Sequence, residues 1–335
     1  MYTVQNVLDA LDQITGGRLV KGPFDTASGR NPFVVSKSSS IPGKAIVETP
    51  GLVFGDPAWP ASRVGMVMTL TESSIELARA MEIDVIIAHH PIADGANSGG
   101  VPLRSYLGLY GIAAIELHEA FHGLHPGIPF LHGHKAFRVE VAYGGVPGNI
   151  LFVGVPLEGV KLLGDILDRL ARFMGYGEEE EMLKAEKRVR GSDAIVDTSV
   201  ALGAKILLGT RSSPVGTVIH IFPHTGFSPA HLEKAKLEHP EAATVLASIS
   251  RVPPTHELVG RAEALGMNFV VGNSHAVEIY ENWMPLSYAL KALLPGLEYY
   301  LLRERVSAIP LEAAGNADIK GYAEEMATRF LLKRR

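Results

Sequence analysis

The 335-residue chain has no cysteine. That absence excludes a disulfide framework, a Cys-type zinc finger, an iron–sulfur site and a thiol nucleophile. Any metal must be held by His, Asp or Glu. An excess of basic charge is also missing: 31 Lys and Arg face 36 Asp and Glu, a net charge of −5 with His neutral. With no basic block either, nucleic acid and anionic membranes are not expected partners. No apolar stretch reaches the roughly 20 residues that cross a bilayer. The opening residues, MYTVQNVLDALDQ, have no basic region followed by an apolar run, so they do not read as a signal peptide. The expectation is a cytoplasmic protein. What the chain does contain, 47% hydrophobic and 20% charged residues, is ordinary globular usage. Its length exceeds the roughly 250–300 residues at which single cores stop growing, so one long domain or two lobes is expected.

The apolar pattern is that of an α/β protein. Val4, Val7, Leu8, Leu11 and Ile14 fall on one helical face, and a Gly/Pro/Ser-rich stretch follows from Gly16 to Gly43. The run Arg63–Leu70 suits a buried strand. Thr71 is placed to cap a helix carrying Ile75, Ala78 and Met81, and DVIIA at 84–88 suits a second buried strand. Strand, helix and strand with a short return make a βαβ unit, hence a parallel sheet. The far half repeats the layout: strands over 215–222, 243–249 and 267–272 alternate with helices over 230–237 and 255–265. Residues 80–88 and 264–272 also echo each other, and each segment runs into His-bearing sequence. These patterns predict an α/β fold of two lobes, with parallel or mixed sheets flanked by helices. The divisions expected are a first lobe over 1–135, an intervening segment over 136–194 and a second lobe over 195–335. In the intervening segment, 160–173 has helical spacing, and the acidic run Glu178–Glu181 reads as a solvated helix face.

Histidine is where the sequence departs from the ordinary. There are 13, and five of them (His118, His122, His125, His132 and His134) fall within 17 residues. Neutral imidazole is the commonest metal ligand, and His clusters with carboxylates nearby are its usual signature. His89 and His90 follow the DVIIA strand directly. Ligands of open α/β sheets bind at the carboxyl ends of strands, and His275 takes the same position after the strand at 267–272. His275 and Glu278 share a helical face at i, i+3. The segment His118-Glu119-Ala120-Phe121-His122 matches HExxH, in which two His bind zinc and the Glu acts as general base. Gly123 and Pro126 would end such a helix early, and no HExxHxxGxxH spacing is present.

Taken in order, these segments resemble the Nif-three-like family, also labelled GTP cyclohydrolase I type 2. IDVIIAHHPI at 83–92 is similar to the family's strand ending in HHP, and GLVFGD at 51–56 to its N-terminal glycine segment. His118–His122 takes the place of the family's HTNLD, so that the family's Asp falls on His122. VVGNSHAVE at 270–278 takes the place of GHYATE. With Glu278 aligned, the family's His falls on Ser274, and His275, one residue later, is expected to supply the ligand. The likeness covers roughly 50–135 and 195–295.

The resemblance implies a two-lobed α/β protein with one or two divalent ions (zinc, iron or manganese) held by His89, His90, His122, His275 and Glu278. Glu278, Glu119 and His118 are then the candidates for moving protons. It also implies a homohexamer. Three readings follow. One is a metal-dependent hydrolase acting on a small molecule; the family label implies GTP, but there is no GxxxxGK[ST] loop. The second is an HExxH zinc peptidase using His118, Glu119 and His122. The third is a metal-bound scaffold or regulatory protein without catalysis.

Overall fold

A computed structural model describes residues 1–22, 28–38, 45–90, 92, 103–146, 148–248, 252–274 and 277–332. Two sheets organise the chain. The first runs Glu298–Leu302, Arg63–Val67, Val85–Ala88, Ala113–Glu116, Gly51–Phe54; its first four strands are parallel and the last is antiparallel to its neighbour. The second runs Lys205–Leu208, Asn268–Val271, Ala242–Ala247, Thr217–Ile221, Leu151–Pro156, His134–Glu140, with its three central strands parallel and the rest antiparallel.

Both faces of the first sheet are covered, which is why its strands read as unbroken apolar runs. Val64, Met66, Val85 and Ile87 point to one face, where the helices Val4–Thr15 and Trp283–Leu293 supply Val7, Leu11, Trp283 and Leu290. Val67, Ile86 and Ala88 point to the other, under Ile75 and Ala78 of Glu72–Ala80 and Leu107 of Leu103–Tyr110. Thr71 caps Glu72–Ala80 as expected, its side chain accepting from the Ser74 amide. Around the second sheet, Ile219, Val245 and Phe269 face the helices Pro229–Glu238 and Glu257–Ala264. Val218, Leu246 and Val270 face Ile166 and Leu170 of Leu163–Phe173.

The division into 1–135, 136–194 and 195–335 does not describe this arrangement. The strands His134–Glu140 and Leu151–Pro156 belong to the second sheet, and Leu163–Phe173 covers it, so the intervening segment is built into that lobe. Beyond residue 277 the chain returns to the first lobe. Trp283 is fully buried there and its indole N–H donates to the Val67 carbonyl at 2.7 Å, while Glu298–Leu302 adds a parallel strand to Arg63–Val67. Apolar patterning marks which residues are buried without saying which sheet buries them.

The echo between 80–88 and 264–272 extends to backbone detail. Both helices close with a residue in the left-handed region, Glu82 at φ 56° and Gly266 at φ 66°. In both, the next amide reaches back five residues: Ile83 N–H donates to Ala78 O and Met267 N–H to Ala262 O, each at 2.9 Å. The first of the two strands then runs directly into the site described below. A side chain in this conformation costs roughly 1–2 kcal/mol, and the Glu82–Arg63 ion pair is mostly exposed. Glu82→Gly is therefore expected to raise stability by about 1 kcal/mol in urea unfolding. An unchanged or lower midpoint would contradict this account.

Candidate metal centre

The site forms where two strands of the first sheet and one strand of a separate two-stranded hairpin end beside the returning chain. After Val85–Ala88 the ladder continues for two residues, with His89 N–H donating to Val67 O at 3.0 Å and His90 N–H to Met68 O at 2.8 Å. His89 turns inward and is 1% exposed. After Ala113–Glu116 the chain enters a turn carrying His118, Glu119 and His122, all buried. Glu48 ends the strand Ala45–Glu48, and Glu278 opens the short helix Glu278–Glu281.

His89 lies at the middle. Its ring centroid is 4.8 Å from that of His118, 5.2 Å from His122 and 5.4 Å from His90. His118 and His122 are themselves 4.8 Å apart. On the other side, His89 Nε2 lies 3.3 Å from Glu278 Oε1. Donor atoms of His89, His118 and His122 fall within 4.8 Å of one another, as do those of His89, His90 and Glu278, and those of Glu48, His118 and Glu119. The first two groups share His89.

The hydrogen bonds orient the rings. His89 Nδ1 lies 3.3 Å from Leu117 O, His118 Nδ1 2.8 Å from Glu48 Oε2, and His122 Nδ1 3.2 Å from Glu119 Oε2. Carbonyl and carboxylate oxygens accept and do not donate, so Nδ1 of His118 and of His122 carries the proton and their Nε2 atoms keep a lone pair, whereas His89 meets an acceptor from both sides, Leu117 O at Nδ1 and Glu278 Oε1 at Nε2. Metal-bound imidazoles are oriented in this way. His122 Nε2 is buried and has no hydrogen-bonding partner among the described residues. Three such imidazoles with a carboxylate opposite suit a borderline divalent ion. His90 is held separately, its Nδ1 2.7 Å from Thr69 Oγ1.

The sequence-derived residues fare differently. His89, His90, His122 and Glu278 come together; His275 lies outside the described residues, as does Pro91. His118 stands among the imidazole donors. Glu119 lies behind His122, and its Oε1 is 3.7 Å from His118 Nδ1, so it orients rings. The HExxH premise fails on backbone grounds: residues 118–122 form a turn and not a helix, and Gly123 at φ 75° ends it.

Two carboxylates were not anticipated. Glu48 sits in no motif and announces itself only through its contact with His118. Glu48→Gln is expected to weaken metal binding 10–100-fold, the usual cost of losing an orienting partner, as read by competition with a chromophoric chelator; unaltered affinity would mean that Glu48 does not orient the ring. Glu281, one helical turn after Glu278, is buried as well. Burial pushes its carboxyl well above the usual range, and the charge of Glu278 adds to the shift.

A two-sheet α/β protein with a buried His/Glu group of metal-holding type is thus defined. No family model and no curated protein matches the sequence. Solved structures do match in fold. The chain is similar to a Bacillus cereus protein related to NIF3 (TM-score 0.55, 11% identity, covering 91% of this chain and 97% of that one). It is also similar to reduced HcgD from Methanocaldococcus jannaschii (TM-score 0.52, 15% identity, 90% and 97%). A third is the Staphylococcus aureus protein SA1388 (TM-score 0.50, 14% identity, 89% and 95%). The fold is that of the Nif-three-like proteins.

Proposed function

We propose that this chain is a metal-dependent hydrolase of small molecules, with one or two divalent ions (zinc, iron or manganese) held by His89, His90, His118, His122 and Glu278. The observation that carries this reading is His89, shared by two donor groups drawn from segments nearly 200 residues apart in sequence. The fold likeness supports it, and so does the family label with its GTP cyclohydrolase-like chemistry; the substrate is left as a small molecule of unassigned class. A bound divalent ion supplies a water that ionises near neutral pH. The chain's own residues do the rest. Glu48 and Glu119 hold His118 and His122 in their ligating tautomers, and burial beside the charge of Glu278 pushes the Glu281 carboxyl upward. Assembly into a homohexamer, as the family resemblance implies, and the cytoplasmic location expected from the sequence belong to the same proposal. Among the described residues no helix is long and apolar enough to cross a membrane.

Purified protein loaded with zinc, iron or manganese in turn, then assayed against nucleotide, ester and amide panels, tests the reading. Turnover that disappears with chelator and returns with metal supports it. Metal bound without turnover on any panel overturns the hydrolase and leaves a metal-bound scaffold, the third reading of the sequence.

A further inference from the structure

A cavity of about 430 Å³ opens between the helix Tyr176–Arg190 and the segment that returns to the first lobe. Its apolar lining includes Met174, Met182 and Met284, and its polar lining Tyr280, Glu179 and Arg303. Tyr280 and Met284 stand one helical turn apart on the chain that carries Glu278, but none of the metal-centre donors is among the described lining residues. The volume is that of an ordinary small-molecule site. Thioether side chains are unbranched and polarisable, so walls built from them adapt to flat ligands of varied outline.

The ion pair of this cavity is only half made. Arg303 donates through one terminal nitrogen, Nη2, to Glu179 Oε1. A guanidinium facing a carboxylate ordinarily closes two parallel bonds. Here Arg303 Nε and Glu179 Oε2 are instead both buried with no hydrogen-bonding partner among the described residues. Glu179 is 3% exposed, so bulk water does not serve its second oxygen. Unpaired buried polar atoms cost stability and call for an explanation. The guanidinium is held in place by Tyr280, whose ring centroid is 5.6 Å from Arg303 Cζ. The charges of the pair cancel, and the other carboxylate of the lining, Glu178, is exposed to water. An anion entering the cavity would meet Glu179 and a cation would meet Arg303, so the lining favours a neutral molecule.

We propose that this cavity binds an uncharged, planar small molecule by an amide-type edge, its carbonyl accepting from Arg303 Nε and its N–H donating to Glu179 Oε2. An aromatic carboxamide and the lactam edge of a nucleobase both present that donor beside that acceptor. The flat body of either packs against Met174, Met182 and Met284. The site uses no metal donor, so it stands independently of turnover at the metal centre.

The test titrates the metal-loaded full chain with benzamide, thymidine, benzoate and benzylamine, read by calorimetry. At least one of the two amide-edged molecules is expected to bind, with benzoate and benzylamine about tenfold or more weaker. Tighter binding of thymidine assigns a nucleobase, and tighter binding of benzamide an aromatic carboxamide. Met284→Trp, at a position 40% exposed, fills the cavity and is expected to abolish binding while leaving the thermal melt unchanged. Glu179→Met combined with Arg303→Met leaves no charge unpaired and is expected to remove the preference for amides. Failure of both amides to bind overturns the proposal, as does affinity indifferent to Met284→Trp or benzoate bound as tightly as benzamide. Because the double substitution can impair folding, a crystal of the unsubstituted protein soaked in benzamide gives a second reading. A carboxamide bonded to Arg303 Nε and Glu179 Oε2 supports the site; ordered waters there in its place overturn it.

Discussion

His89→Gln is expected to strip the metal centre of all its ions. His90, His122 and Glu278 enter one group each, and His118 enters a second one only with Glu48 and Glu119, through the side of its ring that Glu48 holds. His89 is common to the two groups that bring the separate histidine segments together. Its loss should therefore weaken every ion at that centre, by about 100-fold or more, since even orienting residues cost 10–100-fold. Stability reports the same event. An ion at 100 times its dissociation constant stabilises the fold by about 2.7 kcal/mol, and a 100-fold weaker site reduces that to a few tenths. Thermal melts with and without added zinc should show a large metal-dependent rise for the unsubstituted chain and almost none from this centre in the variant. Glutamine keeps a polar side chain of similar reach against Trp283, whose ring lies 4.8 Å from that of His89. His122→Gln, by contrast, should spare the His89–His90–Glu278 group. An equal metal response in His89→Gln and the parent would remove the basis of the shared centre.

The second large effect is acid lability of the chelated protein between pH 6.5 and about pH 5. Burial lowers His132 from 6.5 to about 4 and His134 to about 3, and pushes His220 well below its ordinary value. The unfolded chain takes up protons below pH 6.5 while the folded chain does not. Stability is thus fully present above 6.5 and falls with pH until the folded values are reached. At about 1.4 kcal/mol per pH unit and imidazole, His132 and His134 each lose about 2 kcal/mol by about pH 5. That is a large share of a stability of 5–15 kcal/mol. Glu281, with its raised carboxyl, acts in the opposite sense: its contribution is full at low pH and is lost as pH rises through its folded value. Urea unfolding across this range, compared with a His134→Gln, His220→Gln chain, isolates the imidazoles. The double variant should show a visibly shallower decline; an identical slope would show that these rings do not titrate on unfolding.

The histidine-rich segment shows what sequence could and could not convey. Its density pointed to metal, and two of its members, His118 and His122, do enter the metal centre. His132 and His134 instead join His220 in the other lobe, and His125 accepts the Gly127 amide at 3.0 Å. Spacing along the chain cannot separate these destinations, because a turn and a short helix intervene between 122 and 132. DVIIAHH was legible since a strand buried on both faces is an unbroken apolar run and its end is where ligands gather. Glu48 was not, because a single carboxylate after a short strand looks like any other until the fold sets it against an imidazole. The membership of Glu298–Leu302 was hidden for a related reason: EYYLL reads equally well as an edge of either sheet.

The return of residues 277–302 to the first lobe bears on how the molecule is made. During synthesis both early histidine motifs leave the ribosome long before Glu278, Trp283 and the last edge strand. The nascent first lobe must wait, with one flank of its sheet bare, while the whole second lobe is translated. Its metal centre is consequently completed among the final steps, and a chain released before residue 278 would carry the imidazoles without Glu278 and without the helix and edge strand that close over them.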